Sequence, residues 1–317
     1  MNKTIVLIIT SARTDKTIDW KQREQYVSDF YQSVEARLEN TSVLYTTYDD
    51  IMCLVSNNIV TITDSKHNID LKNVHLVHFK NWMFDYEHAA LIAYYLRKHM
   101  VSFFNEEVDA GLAWGKISQI CRLAMDGVPV SDTLFVKRRH LQAMLDENKL
   151  PENFSFPLIM KADDGSKGSD NYLVRSAKDA ADKLRDSEDH KQFVIQTYHP
   201  NDGDYRYLFI GTDTEPIIFH RQAQGDTHLN NTSKGGAGTA LDVKSVPPEH
   251  LIIARKAAVC LKREISGVDI LVDTTTDKPY VLEVNSTPAL ATGYDVSKKI
   301  KYFANFIKRN LELTEEE

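Results

Sequence analysis

Hydrophobic positions over the first 105 residues switch between short β-branched runs and longer stretches at helical spacing. Residues 4 to 10 form one such run, closing on Thr10-Ser-Ala, and read as a buried first strand that feeds a loop. A helix fits Trp20 to Leu38, and strands fit Ser42 to Thr47, Ile59 to Thr63 and Val74 to Phe79. A strong helix then fits Glu87 to Lys98, and Val101 to Asn105 is a further strand. Strands alternating with helices predict a small parallel α/β lobe.

The next stretch has a different texture. Leu112 to Met125 carries apolar residues at Ile117, Ile120, Cys121 and Ala124 and stops at Gly127, with Pro129 just beyond, as a helix with a glycine cap does. Lys116 falls in its first turn. A strand at Thr133 to Val136, a helix over His140 to Asn148 and a strand from Phe156 follow, the last delivering Lys161 to its end. Then come Gly165, Ser166, Lys167, Gly168 and Ser169, before the strand Tyr172 to Arg175. A strand-loop-strand of this kind can lay backbone N–H groups over phosphate oxygens. It is not a Walker loop, because no helix follows directly and Gly-Lys-Ser/Thr is missing.

Phe193 to His199, Asp204 to Ile210 and Pro216 to Arg221 read as three strands of one antiparallel sheet. Gln222 to Thr239 is polar, rich in Gly and Asn, and too unpatterned for a packed element. Pro248 to Arg263 is an amphipathic helix with Pro near its start, and the tail Thr314 to Glu317 is expected to fray.

The chemistry concentrates near the C-terminus. Gly267-Val-Asp269-Ile-Leu and Tyr280-Val-Leu-Glu283-Val-Asn285 flank the turn-type segment 273–279, so they should pair as an antiparallel hairpin. Glu283 and Asn285 then share a face, and closure near residues 274 to 278 brings Asp269 opposite Glu283. Hard oxygen ligands suit Mg²⁺, which prefers one or two carboxylates plus substrate phosphates and so points to a nucleotide. The bland alternative is a solvent-facing hairpin with scattered acids.

Composition narrows the field. The 317 residues, 42% apolar and 26% charged, are ordinary globular material with room for two or three lobes. A formal charge of −7 argues against wholesale nucleic-acid binding. The longest early apolar run, Ile5 to Ile9, is far below the roughly 20 residues of a membrane span. A cytoplasmic protein with no membrane or nucleic-acid partner is expected. Cys53, Cys121 and Cys260 read as buried thiols without disulfides. His199, His220 and His228 lack metal spacing with any cysteine, so no zinc is expected. Trp20, Trp82 and Trp114 read as core or lobe-contact residues.

Taken in order, Lys116, Lys161 with its glycine loop, Gln196-Thr-Tyr-His199, Asp204-x-Arg206, Gly-Val-Asp269 and Glu283-x-Asn285 resemble the ATP-grasp superfamily. The RimK-type glutamate ligase branch is the most similar, through His220-Arg221-Gln222-Ala223 followed by Asn231-Thr-Ser-Lys234-Gly235-Gly236. The resemblance implies an α/β protein of the ATP-grasp fold, with nucleotide held between two lobes behind a small parallel α/β domain. Its divisions would be 1–107, 108–192 and 193–317. It implies a carboxylate-amine ligase that activates a carboxylate as an acyl-phosphate on an amino acid or peptide. ATP and Mg²⁺ would be its cofactors, with two ions and Mn²⁺ as a substitute, and a dimer or tetramer is compatible.

In that reading Lys116 and Lys161 meet the phosphates, and the loop Gly165, Ser166, Lys167, Gly168, Ser169 closes over them. The backbone of Gln196, Thr197, Tyr198 and His199 reads the adenine edge, and Asp204 accepts from the ribose. Asp269, Glu283 and Asn285 hold metal, with Glu283 bridging. Arg221 holds the γ-phosphate or a developing oxyanion, and Asn231 and Lys234 do similar work. Lys116 could instead be a solvated helix lysine, and Asp204 with Arg206 a plain cross-strand ion-pair set. Two departures from the family pattern stand out. Asp170 and Asn171 occupy positions usually Gly and β-branched, and Leu229 replaces an Arg typical of the substrate loop. A kinase acting on a hydroxyl and a nucleotide-gated binding module are the rival readings.

Overall fold

A computed structural model describes residues 3–12, 20–111, 115–163, 170–222 and 237–315. The first lobe contains β1 (Thr4–Thr10), α1 (Trp20–Glu35), β2 (Thr41–Thr47), β3 (Ile51–Ser56), β4 (Ile59–Asp64), β5 (Ile69–Asp70), β6 (Leu76–Phe79), α2 (Tyr86–Lys98) and β7 (Ser102–Phe104). The expected parallel sheet is present, in the order β2-β1-β6-β7. Val6 to Ile9 are wholly inaccessible, because helices cover both faces of β1 and every side chain along it meets a core. Ile59 to Thr63, expected in this sheet, lies elsewhere. It pairs antiparallel with β3 and β5 in a separate three-stranded sheet. The cause is local: Asn57 and Asn58 both take positive φ, 51° and 63°, which makes a two-residue hairpin turn.

Helix α3 (Lys116–Met125), whose Leu123 packs with Tyr207, Ala257 and Val284 in the core of the third lobe, leads into the second lobe, which contains β8 (Thr133–Phe135), α4 (Arg138–Asp146), β9 (Leu158–Ala162), β10 (Asn171–Val174), α5 (Ala177–Asp186) and β11 (Phe193–Thr197). Its sheet runs β10-β9-β11-β8 and is antiparallel throughout. Leu141, Leu145, Leu158, Met160, Leu184 and Ile195 form its core. Phe193 to Thr197 therefore belongs here and not with the two strands that follow it. Pro200 and Gly203 break the chain before the next strand, and a period of two says nothing about which partner a strand chooses.

The third lobe contains β12 (Asp204–Ile210), β13 (Ile217–Gln222), β14 (Ala237–Leu241), α6 (Pro248–Cys260), β15 (Ile265–Val272), β16 (Pro279–Asn285) and α7 (Val296–Glu315). The sheet order is β14-β13-β12-β15-β16. Residues 237 to 239, read as part of an unpatterned segment, start the edge strand β14, which pairs with β13. Thr314, expected in a frayed tail, lies within α7. That helix fastens the third lobe to the first. Its Phe303, Phe306 and Ile307 pack with Val6, Ile8 and Phe104 on one side and Leu208 and Ile210 of β12 on the other.

The cysteines differ from expectation. Cys53 and Cys121 are exposed, Cys260 is partly buried, and all three are free. On α3 the buried positions are Ile120 and Leu123, so Cys121 turns outward. Trp82 is fully buried, as a core residue should be. Trp114 lies outside the described residues. Among those described, no helix is long and apolar enough to cross a membrane.

Candidate active site

Four strands of the third lobe bring their charged residues into one line. Arg206 of β12 is paired in register with Asp269 of β15, and Asp269 with Glu283 of β16. On the other side Asp204 of β12 is paired with Arg221 of β13. Directly paired residues project from the same face, so Glu283, Asp269, Arg206, Asp204 and Arg221 all converge above the sheet. The hairpin forms as read, with Asp269 opposite Glu283; a register shift follows between Asp269 and Ile270.

Asp269 sits at the centre of the line. Its Oδ1 accepts from Arg206 Nε at 2.7 Å and its Oδ2 from Arg206 Nη2 at 2.6 Å. Arg221 Nη2 approaches the same Oδ2 to 2.9 Å, and Arg221 Nε donates to Asp204 Oδ1 at 2.6 Å. Burial alone would raise the Asp269 pKa, but the two guanidinium groups overcome it and hold the carboxyl below its ordinary range. Asp204 shifts the other way. Burial and the Asp269 charge push it up, and Arg221 only partly compensates.

This arrangement tests the metal reading. After its guanidinium bonds Asp269 keeps about one lone-pair site. Glu283 is freer, with Arg206 Nη2 at 3.9 Å and nearly half its side chain exposed. Asn285 Oδ1 accepts from the Thr287 N–H at 2.9 Å and retains its other lone pair. Glu283 and Asn285 therefore fit an oxygen-seeking cation, and Asp269 contributes mainly by fixing the two arginines. Among the described residues no group of three His, Cys, Asp or Glu side chains is arranged to hold a metal by itself.

The second lobe faces this line with cations. Lys161 on β9 feels the charges of both Glu283 and Lys116; burial dominates and lowers its pKa to about 8. Lys116 opens α3 and donates through Nζ to the Asp163 carbonyl at 3.0 Å. Asp163 also caps that helix, accepting the Ile117 N–H at 3.1 Å through Oδ1. Gly115 permits the approach, since a Cβ there would lie 3.0 Å from Asp163 Oδ2. Asp163 was not picked out in the sequence, although an acid directly before a glycine loop was a usable sign.

The adenine-edge segment divides. Gln196 lies in β11 with its side-chain amide on Thr133 Oγ1 at 2.9 Å, and the Thr197 N–H is taken by the Asp132 carbonyl. Tyr198 and His199 continue past the strand. His199 stacks on Tyr280, with ring centres 4.1 Å apart, and Nδ1 contacts Asp273 Oδ2 at 2.9 Å. His220 lies in β13. Asp170 forms an ion pair with Lys191 at 2.8 Å and bonds Tyr172, so this departure from the family pattern has a local structural use. Gly165, Ser166, Lys167, Gly168, Ser169, Leu229, His228, Asn231 and Lys234 lie outside the described residues.

Support for the ligand pair comes from positions the sequence did not flag. Val284, between Glu283 and Asn285, gives its N–H to Gln119 Oε1 on α3 at 3.3 Å. Its carbonyl accepts from Arg263, which is itself ion-paired with Glu107. Glu107 also binds Arg122 at 2.7 Å. The first lobe meets the hairpin exit directly: Asn105 Nδ2 donates to the Ser286 carbonyl at 3.0 Å and the Asn81 N–H to Thr287 Oγ1 at 3.1 Å.

The RimK-like ATP-grasp domain matches residues 113–308. Ribosomal protein bS6–L-glutamate ligase of Escherichia coli K12 is 31% identical over 154 residues, 45% of this chain and 49% of that protein. The chain thus spans about half the length of the curated relatives it matches. Among solved structures, D-alanyl-alanine synthetase A from Vibrio cholerae superposes over 99% of both chains at a TM-score of 0.66 and 12% identity. The macrocyclase from Microcystis aeruginosa bound with its precursor peptide covers 96% of this chain and 100% of its own at 0.64 and 13%. A peptide-associated ATP-grasp ligase from Chryseobacterium gregarium, in complex with ADP and a leader and core peptide, covers 96% and 97% at 0.62 and 11%. At these identities the structures establish the fold.

Proposed function

The chain belongs to the RimK-like ATP-grasp family, and from that membership we propose that it is an ATP-dependent carboxylate-amine ligase. A carboxylate attacks the γ-phosphorus of ATP, giving an acyl-phosphate and ADP. An amine then attacks the acyl carbon, phosphate leaves, and the amine proton passes to solvent or a base. The observation that carries this reading is the line of Glu283, Asp269, Arg206 and Arg221 on four adjacent strands, with Lys161 close enough to feel Glu283.

Each residue has a task in this chemistry. Lys161 and Lys116 meet phosphate oxygens as point charges. Arg221 is buried, and its Nη1 has no hydrogen-bond partner among the described residues, so one donor of a fixed guanidinium is left for a phosphate or the oxyanion of the acyl intermediate. Asp204 is assigned here to orienting Arg221, whose Nε donates to its Oδ1, and the acceptor capacity left on its carboxylate keeps the ribose open as a second partner. Glu283 and Asn285 would hold Mg²⁺ with Asp269 behind them; the ion, when bound, neutralises phosphate charge during transfer. Tyr198 and His199 border the base. Asn231, Lys234 and the segment 165–169 complete the phosphate side.

In this reading the lobes are 1–107, 108–192 and 193–317, with β11 completing the central sheet from across the second boundary. The substrate is an amino acid or a peptide, supported by a relative named for glutamate ligation to a ribosomal protein and by neighbours solved with a precursor peptide or with a leader and core peptide. Leu229 removes a cation from the substrate loop and weakens the case for an acidic acceptor. The protein works in the cytoplasm.

The test is ADP release with Mg²⁺-ATP across pooled amino acids, peptides and polyols, with hydroxylamine present and Glu283→Ala as control. A hydroxamate that depends on one pool and on Glu283 supports the proposal. A phosphorylated polyol without hydroxamate replaces it with a kinase.

A further inference from the structure

The first lobe carries a feature that the nucleotide site does not use. Residues 51 to 63 contain no Asp, Glu, Lys or Arg, the longest such run in a chain that is 26% charged. They form the hairpin β3–β4, and all nine residues from Met52 to Val60 are exposed. Met52, Leu54, Val55 and Ile59 each show more than half their surface to solvent. Alternation along β3 sends Met52 and Leu54 to one face and Cys53 and Val55 to the other, so both faces of the arm are apolar.

The arm is well anchored at its root. Ile62 is fully buried, and buried Asp64 accepts from Thr46 Oγ1 at 3.0 Å and contacts His67. The pairing from Ile51–Asp64 to Ser56–Ile59 is continuous. β3 is nonetheless an edge strand, and none of the usual edge protections is present: no charge, no proline and no bulge. A lone two-stranded hairpin of this kind is marginal in water, and an exposed apolar edge invites another strand.

We propose that the arm pairs with the same arm of a second copy of this chain, β3 against β3 across a two-fold axis, extending each three-stranded sheet into one of six. The charge pattern selects a second copy. A strand that meets itself across a two-fold axis sets identical residues near one another, so any charge would face its like. The chain carries a net charge of −7, and its longest uncharged segment is the one displayed as an exposed edge. Here two copies approach without that repulsion, and Met52, Leu54, Cys53 and Val55 find apolar cross-strand neighbours.

Sedimentation velocity of the full chain over micromolar concentrations tests this, beside Val55→Lys and Leu54→Lys, which place a charge on opposite faces. Wild-type protein should dimerise, and each substitution should weaken the dimer at least tenfold while circular dichroism and ATP turnover stay unchanged. Amide hydrogen exchange across 52–56 should slow with concentration in wild-type protein only. A monomer throughout, or a dimer indifferent to both lysines, overturns the proposal. Protection of these amides by a substrate peptide instead of by concentration overturns it too and makes the arm a peptide dock.

Discussion

Arg206 and Asp269 meet across adjacent strands through a two-point ion pair, Nε to Oδ1 at 2.7 Å and Nη2 to Oδ2 at 2.6 Å. The fork matters because Asp269 is only 3% exposed and must be compensated where it stands. Arg206→Lys keeps the charge and loses the fork, so the protein should fold while ADP release drops at least tenfold. Arg206→Ala leaves Asp269 to Arg221 alone and should cost about 3 kcal/mol, the low end for breaking a buried pair. Urea unfolding and ADP release measure both. An unchanged midpoint in the alanine variant would show that the pair carries no stability.

Asp204 separates two roles by one comparison. If its carboxylate bonded a ribose hydroxyl, Asp204→Asn would erode the preference for ATP over 2′-deoxy-ATP. Bonded to Arg221, it should instead lower turnover with both nucleotides by the same factor, at least tenfold. The wild-type enzyme should also lose rate on acidification sooner than an ordinary carboxylate would dictate, because burial and Asp269 raise the Asp204 pKa and protonation releases Arg221. That limb should vanish in Asp204→Asn. A selective loss with ATP alone would return Asp204 to the ribose.

Much of this site is legible along the chain, for definite reasons. Asp269 opposite Glu283 follows from a turn of fixed length between two runs of period two, and Lys161 lies one residue before the end of an apolar strand that has no other use for a charge. Arg206 was seen beside Asp204, but its partner is Asp269, since partner choice is set by strand order and not by spacing along one strand. The same gap put Phe193 to Thr197 in the wrong sheet. Glu107 and Arg263 are 156 positions apart and leave no local trace. Helix α7 is a different kind of miss: Phe303, Phe306 and Ile307 recur at helical spacing, and the signal went unread.

Lys161 gives a prediction with two opposite signs. Its pKa falls from 10.5 to about 8 in the fold, chiefly by burial. Phosphates favour the charged form, so nucleotide affinity should be full below about pH 8 and decline as pH rises through that value. Stability of the nucleotide-free protein should move the other way. Between about 8 and 10.5 the unfolded chain holds the Lys161 proton more tightly than the folded one, so stability gains with pH across that window. Calorimetric titration and urea unfolding at several pH values read the two trends. Lys161→Arg, always protonated, should abolish both; a persisting affinity limb would assign the titration to another group.

Val284 is held on both sides, by Gln119 at its N–H and by Arg263 at its carbonyl, and so fixes the spacing of Glu283 and Asn285. Arg263 and Glu107 are each 1% exposed, so Arg263→Ala alone strands a buried carboxylate that keeps only Arg122 and should cost about 3–5 kcal/mol. That loss would not distinguish a structural pair from a positioning one. The double variant Glu107→Leu with Arg263→Met removes the fully buried pair and fills its volume, and should recover part of the stability, since Arg122 loses its carboxylate but its side chain, 14% exposed, still reaches water. It does not restore the donor to the Val284 carbonyl. The Mg²⁺ concentration for half-maximal ADP release should therefore stay raised about tenfold, the lower end for losing support behind a metal ligand, while ATP dependence at saturating Mg²⁺ changes little. Gln119→Ala should raise it in the same direction from the other side of the strand. If the double variant regains both stability and wild-type Mg²⁺ dependence, the network only holds the lobes together and Val284 positions nothing.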